Sequence, residues 1–156
     1  MPKSILWLRT CILLLCLILI GCGNAQTNTT QEKLEKNALN YASFVKKLQA
    51  VGVSGTKADA QNSDFFSGTP YGLLIKGERV SIFEYLTSED AQNEAKRISS
   101  QGDIIQKSSS GSAVIDWVAP PHFYRSGRLI VLYVGNKQPV ISLLQSILGP
   151  QFAGGV

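Results

Sequence analysis

The chain contains one histidine, His122, and three cysteines, Cys11, Cys16 and Cys22. One imidazole cannot build a multi-histidine metal site, so that chemistry is excluded by count. It could still act as the base of a hydrolytic triad with a serine and an acid. No Gly-x-Ser-x-Gly turn is available to present the serine, so a hydrolase on His122 is the weaker expectation. Glu84 and Asp116 fall inside strand-like runs, and paired carboxylates can do acid–base work when their separation is fixed. Nothing in the sequence fixes it. The plainer expectation is that each faces solvent or meets Arg79, Arg125 or Arg128 across a sheet. Glycine-rich phosphate motifs are absent, so nucleotide binding has no support and no cofactor is implied.

The richest concentration of recognition-type side chains is Trp117, Pro120, Pro121, His122, Phe123, Tyr124 and Arg125. Flat rings bind with little loss of conformational freedom, and cations beside them suit a peptide, glycan or protein partner. The segment Trp117, His122, Phe123, Tyr124 and Arg125 is therefore the candidate binding patch. The competing expectation is plain core, because alternation along a strand would bury about half of these side chains.

Residues 1–10 carry Lys3 and Arg9 and no acid, an apolar run follows from Cys11 to Gly21, and polar sequence begins at Gly23. That is the layout of a secretory leader, and the run is shorter than the roughly 20 apolar residues of a membrane-spanning helix. Leu19-Ile20-Gly21-Cys22 resembles the lipobox of bacterial lipoproteins. The resemblance implies cleavage before Cys22, acylation of that cysteine and attachment to a membrane through its lipid. Each buried methylene contributes about 0.8 kcal/mol, so more than one acyl chain gives stable anchoring. With Cys22 committed to lipid, a Cys/His zinc site and a cysteine nucleophile drop out, and no intramolecular disulfide can form. Gly23 follows the cysteine where some enteric bacteria place an aspartate for inner-membrane retention. The expected location is the cell membrane, or the outer membrane where there are two, with the domain on the exported side.

Three segments are expected: a signal peptide at 1–21, the lipidated cysteine with a polar tether at 22–31, and one domain at 32–156. Losing residues 1–21 leaves 135 of the 156, enough for an apolar core. Lys3 and Arg9 leave as well, so 13 basic side chains face 11 acidic ones, a net +2 without runs. Nucleic acid is not an expected partner.

The positioning elements follow from periodicity. Leu34, Ala38, Tyr41, Ala42, Val45 and Leu48 fall at helical spacing over Glu32–Ala50, ended by Gly52. Strands at Tyr71–Ile75 and Arg79–Leu86 form a hairpin around Lys76-Gly77-Glu78. Thr87 and Asp90 then begin a second helix running to about Ser99, with Ala91, Ala95 and Ile98 inward. Ala113–Val118 reads as a strand. A second hairpin joins His122–Arg125 to Arg128–Val134, and Leu129–Val134 is apolar at both alternating sets, so it is the expected central strand with both faces covered. Asn136 and Pro139 begin a last helix that buries Val140, Leu143, Leu144, Ile147 and Leu148. The expected fold is α+β, an antiparallel sheet of about four to five strands with helices packed on it. Gly77–Ser99 and Gly127–Gly149 share the order turn, strand, helix at an offset of fifty residues. A ββα duplication would produce that order, and an ordinary α+β domain could share it.

Gly77-Glu78 with Val80–Tyr85, Ile98-Ser99 with Gly102, Trp117–Tyr124, Gly127–Gly135 and Leu148–Gly154 together resemble an uncharacterised group of putative bacterial lipoproteins. The resemblance spans most of the mature domain. It implies location and single-domain organisation and carries no catalytic residue.

Overall fold

The computed structural model describes residues 25–107 and 111–155. The leader and Cys22, and Ser108–Ser110, lie outside the described residues. The chain falls into two units, one ending at Lys36 and one covering Asn37–Val156.

In the first unit, helix α1 (Ala25–Asn37) includes residues 25–31, which had read as irregular tether. Gln31, Glu32, Lys33, Leu34, Glu35 and Lys36 are good helix formers, and Glu32 and Lys36 stand four apart, so the helix extends back through the polar stretch. Leu34 is exposed. The single helix expected over 32–50 is thus two, because the Asn40 side chain accepts from the Ser43 amide and starts a new helix, α2 (Tyr41–Ala50). No helix among the described residues is long and apolar enough to cross a membrane.

The second unit is built on an antiparallel sheet with strands β1 (Gly55–Ala58), β2 (Thr69–Ile75), β3 (Glu78–Glu84), β6 (Pro121–Ser126), β7 (Leu129–Val134) and β8 (Gln151–Gly154). Their order is β1-β2-β3-β7-β6-β8. A separate ribbon pairs β4 (Ile104–Gln106) with β5 (Ser112–Val114). The two remaining helices are α3 (Ser88–Ala95) and α4 (Gln138–Leu148). The class is α+β, as expected. The strand count is not: among the described residues the main sheet has six strands and the ribbon two more. The additions β1 (Gly-Thr-Lys-Ala) and β8 (Gln-Phe-Ala-Gly) are four-residue edge strands too short and too glycine-rich to show alternation. The strand expected at Ala113–Val118 is ordered as β-structure only through Val114.

Both hairpins turn on two residues. Lys76 (φ 51) and Gly77 (φ 81) are both left-handed, the conformation that a right-twisted two-residue hairpin requires. Gly127 (φ 54) opens the other turn, where a Cβ would lie 2.4 Å from the Leu39 backbone nitrogen. That close approach lets the Arg128 amide donate to Leu39 O at 2.9 Å and fixes where Arg128 leaves the sheet.

Strand β7 lies inside the sheet between β3 and β6 and is buried on both faces, as its continuous apolar run requires. One face packs Leu73, Ile82, Tyr124, Val131 and Tyr133 under α2 and α4 through Phe44, Leu48, Val140 and Leu144. The other packs Phe83, Phe123, Ile130 and Leu132 against Ala91 of α3, Phe66, Ile98 and Ile105. Helix α3 begins as expected, with a reciprocal capping box between Thr87 and Asp90. Helix α4 begins one residue later than expected, at a Lys137 cap that makes no side-chain hydrogen bond.

Candidate functional site

The aromatic segment at 117–125 is core. Phe123 and Tyr124 are 0% and 1% exposed, and because they are neighbours on β6 they enter opposite clusters on opposite faces. Trp117 is half-buried, meets Phe123 edge-on with ring centroids 6.1 Å apart, and donates from Nε1 to Gly102 O at 2.8 Å. Arg125 is exposed. These residues share no surface, so the binding patch read from their clustering is overturned: strand alternation separates what is contiguous in sequence.

His122 is also buried and stacks on Tyr133. Its Nδ1 faces Gln151 Oε1 at 2.8 Å and its Nε2 faces Gly135 O at 3.0 Å. Both nitrogens face carbonyl oxygens, and among the described residues neither meets a serine or a carboxylate. The triad geometry is not formed, and the residue instead ties β6 to β8 and to the end of β7. Asp116 is exposed, and Glu84 meets Arg128, the cross-sheet partnership expected for it. Among the described residues, no three His, Cys, Asp or Glu side chains converge as metal ligands.

The structure instead brings the Glu84–Arg128 pair together with residues that sequence reading did not assign to a site. A cleft of about 730 Å³ lies at the sheet end where β2 starts, β3 finishes and β7 begins. One wall is the loop Ser67, Gly68 and Thr69. Another is α3 and its exit, contributing Asp90, Asn93, Glu94 and Arg97. Glu84, Tyr85, Leu86, Tyr71 and Arg128 complete it. At its base Glu94 is only 5% exposed. Ser67 Oγ donates to Glu94 Oε2 at 2.6 Å, and Arg97 Nη1 donates to Glu94 Oε1 at 2.5 Å. Arg97 is held from its other side, where Nε donates to Gln106 O at 2.6 Å. A second pair joins Arg128 Nη2 to Glu84 Oε1 at 2.5 Å.

Two buried polar atoms in this wall make no hydrogen bond among the described residues, Tyr85 Oη and Arg128 Nε. Burial, and then the negative charge of Glu94, push the Tyr85 hydroxyl far above its ordinary range, opposed by the Gly68 backbone amide, which approaches short of hydrogen-bond geometry, and by Arg97. Leaving such groups unmade costs about 1–3 kcal/mol each. The Tyr71 ring at the rim is held by Tyr41, stacked at 4.0 Å and 8°.

A signal for this site was present. Ala91, Ala95 and Ile98 give the expected inward stripe; the helix itself ends at Ala95, and Glu94, at i+3 from Ala91, is buried with it. A carboxylate on a buried stripe needs a cation and a hydroxyl, because an isolated buried charge is strongly disfavoured. Arg97 follows at i+3. The loop serine lies 27 residues before Glu94 and no local pattern points to it, while Arg128, 44 residues after Glu84, is one of the three arginines the strand pattern offered.

Compared with known proteins, the chain matches no family model, no curated protein and no solved structure.

Proposed function

We propose that the chain is a cell-envelope lipoprotein, made with a signal peptide at 1–21 and held to a membrane through lipid on Cys22. Its exported domain acts as a binding module rather than an enzyme, and the cleft between α3 and the end of the sheet is the binding seat. The observation that carries the binding reading is the Glu94 network. A carboxylate enclosed beside Ser67 and Arg97 fixes a guanidinium at the mouth of a polar cleft, and preformed polar groups in a concavity are what ligand sites require. His122, buried without a serine or acid partner among the described residues, does not supply the hydrolytic alternative. The partners of this reading are the membrane, through Cys22, and an envelope glycan, peptide or protein at the cleft.

Two measurements test it. Fatty-acid labelling should mark the wild type and fail on Cys22→Ser, which should also leave the membrane fraction; a Cys22→Ser protein that still takes label refutes the anchor. A panel of envelope-type saccharides and peptides, titrated into the full-length protein in detergent, should shift amide resonances around Tyr71, Asn93 and Arg97. Shifts confined to other surfaces refute the seat.

A further inference from the structure

The cleft has a chemical bias beyond being polar. A guanidinium has five N–H donors. Arg97 uses Nε on Gln106 O and Nη1 on Glu94, leaving Nη2 without an acceptor among the described residues. Arg128 uses Nη2 on Glu84, and its Nε has no partner. Each arginine is 27% exposed, and both line the cleft. Both glutamates are already turned to their own arginines. What the walls lack is an acceptor, and a planar carboxylate is the acceptor that matches a guanidinium edge in two parallel hydrogen bonds.

The surrounding charge limits how negative the guest can be. Glu84, Asp90 and Glu94 against Arg97 and Arg128 leave the lining at a net −1, which disfavours phosphates and polyanions more than a single carboxylate. One carboxylate seated on the two guanidiniums keeps its nearest charges favourable. The remaining groups are neutral and suited to hydroxyls: Thr69 and Asn93 are exposed at the rim, and the Asn93 Oδ1 accepts from Lys96 while its amide nitrogen has no acceptor among the described residues. The Tyr71 ring, backed flat by Tyr41, offers an apolar face of the kind that packs on the C–H side of a sugar. The volume suits a ligand of one or two rings.

We infer that the cleft takes a hydroxylated monocarboxylate of the sugar-acid class, its carboxylate on Arg97 and Arg128, its hydroxyls on Thr69 and Asn93, and its ring against Tyr71. This rests on the reading of the cleft as the binding seat. The test titrates glucuronic acid, glucose and glucose 6-phosphate into the full-length protein in detergent, read by amide resonances of cleft residues. Glucuronate should bind at least tenfold more tightly than either of the others. Arg97→Lys, which keeps the charge on Glu94 but loses the planar fork, should weaken glucuronate about tenfold. Asn93→Ala should weaken it about threefold with an unchanged melting temperature. Equal affinity for glucose, tighter binding of the phosphate, or indifference to Arg97→Lys overturns the inference. Cleft shifts from another ligand of the panel with none from glucuronate overturn the ligand class and keep the seat; no cleft shift from any of them overturns both.

Discussion

Replacing Arg97 with methionine should lower stability more than replacing Glu94 with methionine, although the two side chains form one ion pair. The asymmetry comes from burial: Glu94 is 5% exposed and Arg97 27%. In Arg97→Met the carboxylate stays enclosed with Ser67 as its remaining partner, and stranding a buried charge costs about 3–5 kcal/mol. Water at the mouth of the cleft keeps the effect at the low end, about 3 kcal/mol. In Glu94→Met the freed guanidinium keeps its bond to Gln106 O and turns toward solvent. The loss of a charge-assisted hydrogen bond, about 1.5–3 kcal/mol, is then partly offset by an apolar side chain at a buried position, leaving about 1 kcal/mol. The double variant removes the stranded charge and should be more stable than Arg97→Met alone, a coupling of about 2 kcal/mol. Urea unfolding of the full-length protein reads all four. With a slope of about 2 kcal/mol per molar, Arg97→Met moves the midpoint down by about 1.5 M. Equal single effects below about 1 kcal/mol that simply add would mean that the pair behaves as an exposed one, and the picture of an enclosed Glu94 would be refuted.

Two further perturbations probe the frame around the site. Val131→Asp places a carboxylate between Ile82 and Tyr124 on the interior strand β7, should destabilise by more than about 4 kcal/mol, and an unchanged melting temperature would contradict the position of that strand. Tyr85→Phe removes a buried hydroxyl that makes no hydrogen bond and should raise stability by about 1 kcal/mol near neutral pH, or about 4 °C in melting temperature. It also changes the alkaline limb. Burial raises the hydroxyls of Tyr41, Tyr85, Tyr124 and Tyr133, so above pH about 10 the unfolded chain releases protons that the folded chain retains, and stability falls as pH rises. Urea midpoints at pH 8 and 11 should show a smaller drop for Tyr85→Phe than for the wild type, and a midpoint that rises with pH would reverse the sign.

Local chemistry written into neighbouring residues was legible. Thr87 and Asp90 announced their capping box and Leu129–Val134 its burial on both faces, whereas Glu84 offered three arginines or solvent and the fold chose Arg128. What escaped depended on contacts distant in sequence. Four-residue edge strands are stabilised by the neighbour they pair with, so β1 and β8 have no pattern of their own. The candidate patch failed for a related reason, since nearness in sequence along a strand means opposite directions in space, and Phe123 and Tyr124 are separated by the thickness of the sheet. The cleft reversed that relation: Ser67, Glu94 and Arg128 share nothing in sequence and meet at one strand end.

The order of turn, strand and helix that recurs at an offset of fifty residues explains where that strand end lies, though not as a symmetric repeat. Strands β3 and β7 are antiparallel neighbours, so a two-fold axis relating the two hairpins would stand perpendicular to the sheet and leave both following helices on one face. They lie on opposite faces, α3 with Phe83 and Ile130 and α4 with Ile82 and Val131. Each helix therefore covers its face unaided by the other. Eight residues of α3 span about 12 Å, whereas the seven-residue β3 spans about 23 Å. The shortfall on that face is filled at one end by the ribbon and Trp117, near Phe123, while the other sheet face has α2 as well as α4. At the end beside Glu84 the lining is the loop before β2, α3 and its exit, and the two ion pairs Glu84–Arg128 and Glu94–Arg97. The opposite end of β7 is closed by the His122, Gln151 and Gly135 contacts. A helix shorter than its strands thus leaves one sheet end open, and Tyr85 and Arg128 there carry the buried polar atoms that lack partners among the described residues.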